Sequence, residues 1–201
     1  QLGNVVDGMI VGNILGPDAM AAIEISMPVL LVLQMPAMML AMGGAAEAAV
    51  LLGKRSTQEV DGVFSASLAA GLLLSVIFAL FTPFLPGVLA MALSGNGVMA
   101  ALVEPYIAVN FGGIPILTLA IIFCYFMNAD NHPQLGSALF IIANVVNLAL
   151  DLIFLKGLKI GMAGSALATI IGYLTGMVTV LIYFRSKHRM LHLVKPDREV
   201  L

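Results

Sequence analysis

Three acids in this sequence stand where acids are expensive. Asp151 lies inside NVVNLALDLIF (residues 144–154), Asp7 inside NVVDGMIVGN, and Glu47 inside GGAAEAAVLLGKR, each among apolar or small residues. A carboxylate at the centre of a membrane-spanning helix costs about 2.5–3.5 kcal/mol on insertion scales, so it is a functional candidate by default. Asn144, Asn147 and Asp151 are spaced three and four apart, which puts them on one helical face. Two carboxylates in a low-dielectric site can share a proton, because burial and a like charge both disfavour the second ionisation. They can equally hold a small cation, with Asn147 and Thr169 adding neutral oxygens. Either occupant changes the local charge by one unit, enough to bias a helix rearrangement.

The elements that carry these groups must be membrane helices. Of the 201 residues, 61% are hydrophobic and 10% charged, against about 45–50% and 25% in soluble domains. A water-soluble core of this size cannot hide that much apolar surface. The chain reads as an all-α integral membrane protein. Its formal charge of −2 gives no footprint for nucleic acid. The single cysteine, Cys124, excludes an intrachain disulfide framework and reads as a small buried hydrophobe.

A membrane span needs about 20 mostly apolar residues, or fewer where a segment is incomplete. Six segments qualify, at about 1–14, 24–51, 62–82, 104–128, 134–155 and 162–184. Between them LGPDA, GKRSTQEVD, PFLPG through SGNG, NADNHPQ and KGLKIG supply turn residues. The chain opens at Gln1 already within an apolar segment, without the charged region of a signal peptide. It closes just after a charged one, and reads as a fragment cut at both ends.

Depth brings the polar groups together. Asp7 stands about 8 residues before the first turn, Asp151 about 5 before KGLKIG, and Thr169 about 7 after it. At about 1.5 Å per residue all three lie roughly 8–12 Å from the same membrane face. Lys and Arg then set the orientation. Seven of them follow the even-numbered spans (Lys54, Arg55, Arg185, Lys187, Arg189, Lys195, Arg198) and two follow the odd-numbered ones (Lys156, Lys159). The even side, with the basic segment at about 185–201, is expected to be cytoplasmic. His188 and His192 lie four apart there, but no Cys or carboxylate completes a metal set, so no metal is assigned.

Other polar residues have two readings each. Glu47 reaches toward the inner interface or borders a cytoplasm-facing pathway. Gln34, Tyr106 and Asn110 line a cavity or bridge helices, and Asn144 is first of all interhelical glue. The run QMPAMMLAM suits adaptable packing or a wall that accommodates varied apolar ligands. Pro28, Pro36 and Pro115 are expected to interrupt their helices.

Several stretches resemble one family. VDGMIVGNILGPDAMAAI is similar to the first helix and turn of the multidrug and toxic compound extrusion (MATE) family. GGAAEAAVLLGKRSTQEVD resembles its second helix and cytoplasmic loop. NADNHPQLG, NVVNLALDLIF and GMAGSALATIIGY look like its fourth loop, fifth helix and sixth helix. The resemblance runs over essentially the whole chain and implies the amino-terminal lobe, six helices of a two-lobed, twelve-helix transporter in the cytoplasmic membrane. For the prokaryotic branch similar to the DNA-damage-inducible protein, it implies that Asp7, Asn147, Asp151 and Thr169 form the coupling-cation site. Glu47 departs from the pattern, which is usually neutral there.

The implied activity is export of organic, often cationic or amphipathic compounds in exchange for H⁺ or Na⁺, with no enzymatic step and no cofactor. The partners are small molecules, membrane lipid and a second lobe that this chain does not contain. A lipid-linked sugar flippase of the same wider superfamily is the nearer rival, but it would favour basic residues mid-span, and none is present. An intramembrane aspartyl protease is the remote one, and its G-x-G-D motif is missing around both aspartates.

Overall fold

A computed structural model describes residues 2–54, 56–95, 97–185 and 191–192, with side chains from Gly8 onward. Eight α-helices form among them: α1 (Leu2–Leu15), α2 (Pro17–Gly53), α3 (Thr57–Leu80), α4 (Leu85–Ser94), α5 (Gly97–Ala129), α6 (Pro133–Asp151), α7 (Met162–Gly176) and α8 (Val178–Arg185). A π-helical stretch, Leu152–Gly157, continues α6. Among the described residues five helical segments are long and apolar enough to cross a membrane. They are Pro17–Gly53, Thr57–Leu80, Gly97–Ala129, Pro133–Gly157 and Met162–Arg185. The 14-residue α1 precedes them.

The turns follow local chemistry. Gly16, at φ 99°, supplies the single residue between α1 and α2, and Pro17 starts α2 where a missing N–H costs nothing. The spans gather around α5, which packs against α2, α3, α4, α6 and α7. Two apolar clusters result. One, near the α5–α6 turn, gathers Ala41, Ala48, Phe64, Ile122, Phe126 and Tyr183. The other, toward the opposite end, gathers Val11, Ile23, Val103, Ile107, Leu155 and Met162.

The structure corrects two sequence expectations. The stretch from PFLPG to SGNG is not only a turn: it contains α4, whose Pro86 sits in the first turn and whose C-cap Gly95 is left-handed at φ 67°. Proline is tolerated in a first turn, so the residue that read as punctuation starts a helix instead. Helices α2 and α5 run on through Pro28, Pro36, Pro105 and Pro115 rather than breaking. Their packed neighbours hold the remaining backbone bonds in place. The sixth span stands as expected, at Met162–Arg185, with a turn at Met177 whose N–H still bonds the Tyr173 carbonyl at 3.0 Å.

Candidate cation site and adjoining cavity

Helices α6 and α7 meet through glycine. A β-carbon at Gly172 would stand 2.5 Å from the Ala143 carbonyl oxygen, and one at Gly176 closer still to that of Leu139. Only hydrogen lets the two backbones approach so nearly, the small-xxx-small contact of membrane helices. That approach sets the site. One turn before Gly172, Thr169 faces Asn147, whose Nδ2 donates to Thr169 Oγ1 at 3.1 Å. The Thr169 hydroxyl in turn donates to the Ser165 carbonyl at 3.2 Å. An Asn147 amide engaged in this way has its carbonyl oxygen to offer a cation.

Asp151 lies one turn beyond Asn147 and is completely buried, as is Ser165. It is the last residue of α6 before the backbone widens into the π turn. The Leu158 N–H reaches back to Ile153 at 2.8 Å, and the Ile160 N–H to Phe154 at 2.9 Å. Such turns mark many functional sites because they re-aim neighbouring groups. Helix α1 packs on both α6 and the π turn. Asp7 itself lies in α1, but its side chain falls outside the described residues. The structure thus brings Asn147, Asp151 and Thr169 into one neighbourhood of α6 and α7.

The remaining sequence candidates scatter. Asn144 is exposed and donates to the Phe140 carbonyl of its own helix at 2.7 Å, so it bridges no helices. It shares a nominal face with Asp151, but it sits two turns away from the end that α1 covers. Tyr106 is buried in the cluster around Val103 and Ile107, and Asn110 gives its amide to the Tyr106 carbonyl at 2.9 Å. Glu47 is exposed near the end of α2. The basic residues Arg55, Lys187, Arg189, Lys195 and Arg198, and His188, lie outside the described residues.

Gln34 opens onto something larger. With Met38 from the methionine-rich run it borders a cavity of about 380 Å³ between α2, α5, α6 and α7. Leu117, Ile121, Cys124, Tyr125 and Asn128 line it from α5, Phe140 from α6 and Tyr173 from α7. Phe140 and Tyr173 stand edge to face, with ring centroids 5.9 Å apart. The volume falls within the range of small-molecule pockets, about 300–1,000 Å³. Aromatic faces, two amides and no charged side chain make a lining suited to a flat, partly polar organic molecule. Sequence reasoning named Gln34 and the methionines but missed the aromatic wall, because Tyr125, Phe140 and Tyr173 sit on three different helices. Tyr173 follows Thr169 by one turn, so α7 carries both the candidate cation site and the cavity wall.

A bundle of apolar helices with a buried carboxylate and a separate organic-sized cavity has the makings of a membrane transporter lobe. The family model described as MatE matches residues 1–153, and the chain belongs to that family. It is 26% identical over 171 residues to the multidrug export protein MepA of Staphylococcus haemolyticus, covering 85% of this chain and 38% of that protein. It is 24% identical over 206 residues to the probable multidrug resistance protein YoeA of Bacillus subtilis, covering 100% of this chain and 44% of that one. The chain therefore spans about two fifths of the length of these curated relatives. Among solved structures it matches a MATE in the bent conformation with a TM-score of 0.88 at 23% identity, over 99% of this chain and 45% of that one. An inward-facing multidrug resistance MATE transporter matches with a TM-score of 0.88 at 24% identity, over 99% and 46%. Those likenesses establish the fold, which corresponds to a little under half of each of those solved chains.

Proposed function

We propose that this chain is the amino-terminal six-helix lobe of a two-lobed antiporter that expels organic, often cationic compounds in exchange for H⁺ or Na⁺. The observation that carries the reading is the fully buried Asp151 beside the Asn147–Thr169 pair, in a chain of the MatE family. Asp151, Asn147 and Thr169, with Asp7 from α1, would bind the coupling cation. A carboxylate with neutral oxygens around it serves either a proton or Na⁺. The cavity bordered by Gln34 and Tyr173 would receive the organic molecule, and the second lobe would complete its walls. The names of the relatives, a multidrug export protein and a probable multidrug resistance protein, agree with that cargo class.

The reading is tested on the full-length protein in liposomes, with pH and Na⁺ gradients imposed separately. A fluorescent organic cation should move against its gradient under at least one of them and not when both are absent. Movement indifferent to both gradients overturns the antiport.

The same proposal places the protein in the cytoplasmic membrane with the Lys54 end inside, on the seven-to-two bias of its Lys and Arg. Gly157 is exposed, with no heavy atom within 4 Å of where its β-carbon would stand, so it accepts a reporter thiol. In intact cells Gly157→Cys should react with an impermeant thiol reagent from outside, while the buried Cys124 stays unlabelled. Labelling that appears only after lysis reverses the orientation.

A further inference from the structure

The segment beyond α8 has so far only set orientation, yet two of its residues are held against the lobe. Leu191 is 1% exposed, inside the apolar cluster that contains Leu51, Val60, Phe64 and Tyr183. Its neighbour His192 donates its backbone N–H to Asp61 Oδ1 at 2.6 Å, and the His192 Nδ1 stands 3.5 Å from Asp61 Oδ2. Asp61 is itself buried, in the second turn of α3, at a position 131 residues earlier in the chain. A buried carboxylate needs hydrogen-bond partners. Here the post-α8 segment supplies one to the start of α3.

The same end of the bundle is braced a second time. Tyr183, fully buried on α8, donates its hydroxyl to the Asp130 carboxylate at the α5–α6 turn. The His132 ring stands edge-on to the Tyr183 ring at 5.2 Å, and its Nδ1 lies 3.6 Å from Asp130 Oδ2. Helix α8 is therefore fixed to the α5–α6 turn, and Leu191–His192 are held separately on α3.

We propose that Asp61 is a docking site for the chain's own post-α8 segment, holding the backbone at Leu191–His192 so that whatever follows is anchored on α3. The consequence is mechanical. From Arg185 to His192 an undocked chain could reach about 25 Å, at up to 3.6 Å per residue. Docking removes that slack and moves the pivot of the following chain from the end of α8 to the start of α3. A rearrangement of α3 would then be felt directly by what the segment connects to. Docking stands on the contacts of Asp61 alone, whether or not the protein is an antiporter.

Amide hydrogen exchange on the full-length protein tests it, read at the His192 N–H by fragmentation of a peptide spanning residues 189–194. In the native protein that amide should exchange at least tenfold more slowly than an unstructured one. Asp61→Ala should remove the protection, while Asp61→Asn, which keeps an acceptor oxygen, should retain most of it. Peptides from the middle of α3 should exchange alike in all three proteins. The proposal is overturned by an unprotected His192 amide in the native chain, or by protection that survives Asp61→Ala. Acceleration that spreads along α3 overturns it too, since Asp61 would then be supporting the helix rather than holding the segment.

Discussion

Asp151→Asn in the full-length transporter is expected to abolish efflux against a drug gradient while leaving a folded protein. Asparagine keeps the size and the hydrogen-bonding capacity of the side chain but cannot take up and release a charge. In the bilayer a neutral amide is the cheaper group, so the bundle should form at least as well as before. What disappears is the driving force. One elementary charge moved through 100 mV is worth about 2.3 kcal/mol, which sustains roughly a 50-fold gradient of a neutral drug exchanged for it. The ratio held by the variant should fall from that order to about one. Drug binding should persist, because Asp151 is not among the residues lining the cavity. If cation and drug favour different conformations of the lobe, their affinities in the variant should also cease to depend on each other.

A companion substitution sharpens the same result. Asp7→Asn should behave like Asp151→Asn if both carboxylates serve one cation, and the double variant should be little worse than either single one. Independent sites would add, whereas members of one site do not. The measurement is the steady-state drug ratio at matched expression and a fixed imposed gradient. A wild-type ratio from Asp151→Asn removes this residue from the coupling site.

How much of this arrangement the sequence discloses depends on the range of the interaction involved. The spans are legible because about 20 consecutive apolar residues suit the thickness of a bilayer and little else. Helix α4 is not, since ten residues fall short of a span and Pro86 reads as a turn until the helix around it is seen. Asp151 and Thr169 could be set at one depth by counting rise per residue from a shared loop, and Asn147 joins Asp151 by helical face. The same face also holds Asn144, and there it misleads. Helical phase says which residues share a stripe, but not which neighbour covers it, and Asn144 is exposed. The π turn after Asp151 leaves no mark in LIFLKG that a loop would not leave. The aromatic wall of the cavity and the Asp61–His192 contact depend on tertiary packing between distant segments, to which local pattern is blind.

Tyr173→Ala is expected to do the converse of Asp151→Asn: spare the coupling and weaken the cargo. The Tyr173 ring lies against the Phe140 ring and borders the cavity, where a flat organic cation would meet its face. Such a face is worth about 1–2 kcal/mol to a desolvated cation, or roughly 5- to 30-fold in the dissociation constant. Two controls separate recognition from packing. Tyr173→Phe keeps the ring and loses the hydroxyl, so it should bind aromatic cations within about threefold of wild type if the face is what counts. Tyr173→Leu fills most of the volume without a ring, so it should bind as poorly as alanine while melting closer to wild type. Thr169, one turn earlier on α7, bonds Asn147 independently of the Tyr173 ring, so the response to an imposed cation gradient should survive in all three variants wherever enough drug is bound. Loss of coupling at saturating drug, with affinity unchanged, would place Tyr173 with the cation and not with the cargo. Equal affinity in all three variants would leave the cavity without a part in recognition. The graded result, with phenylalanine tolerated and both leucine and alanine weak, is the one that an aromatic wall facing an organic cation requires.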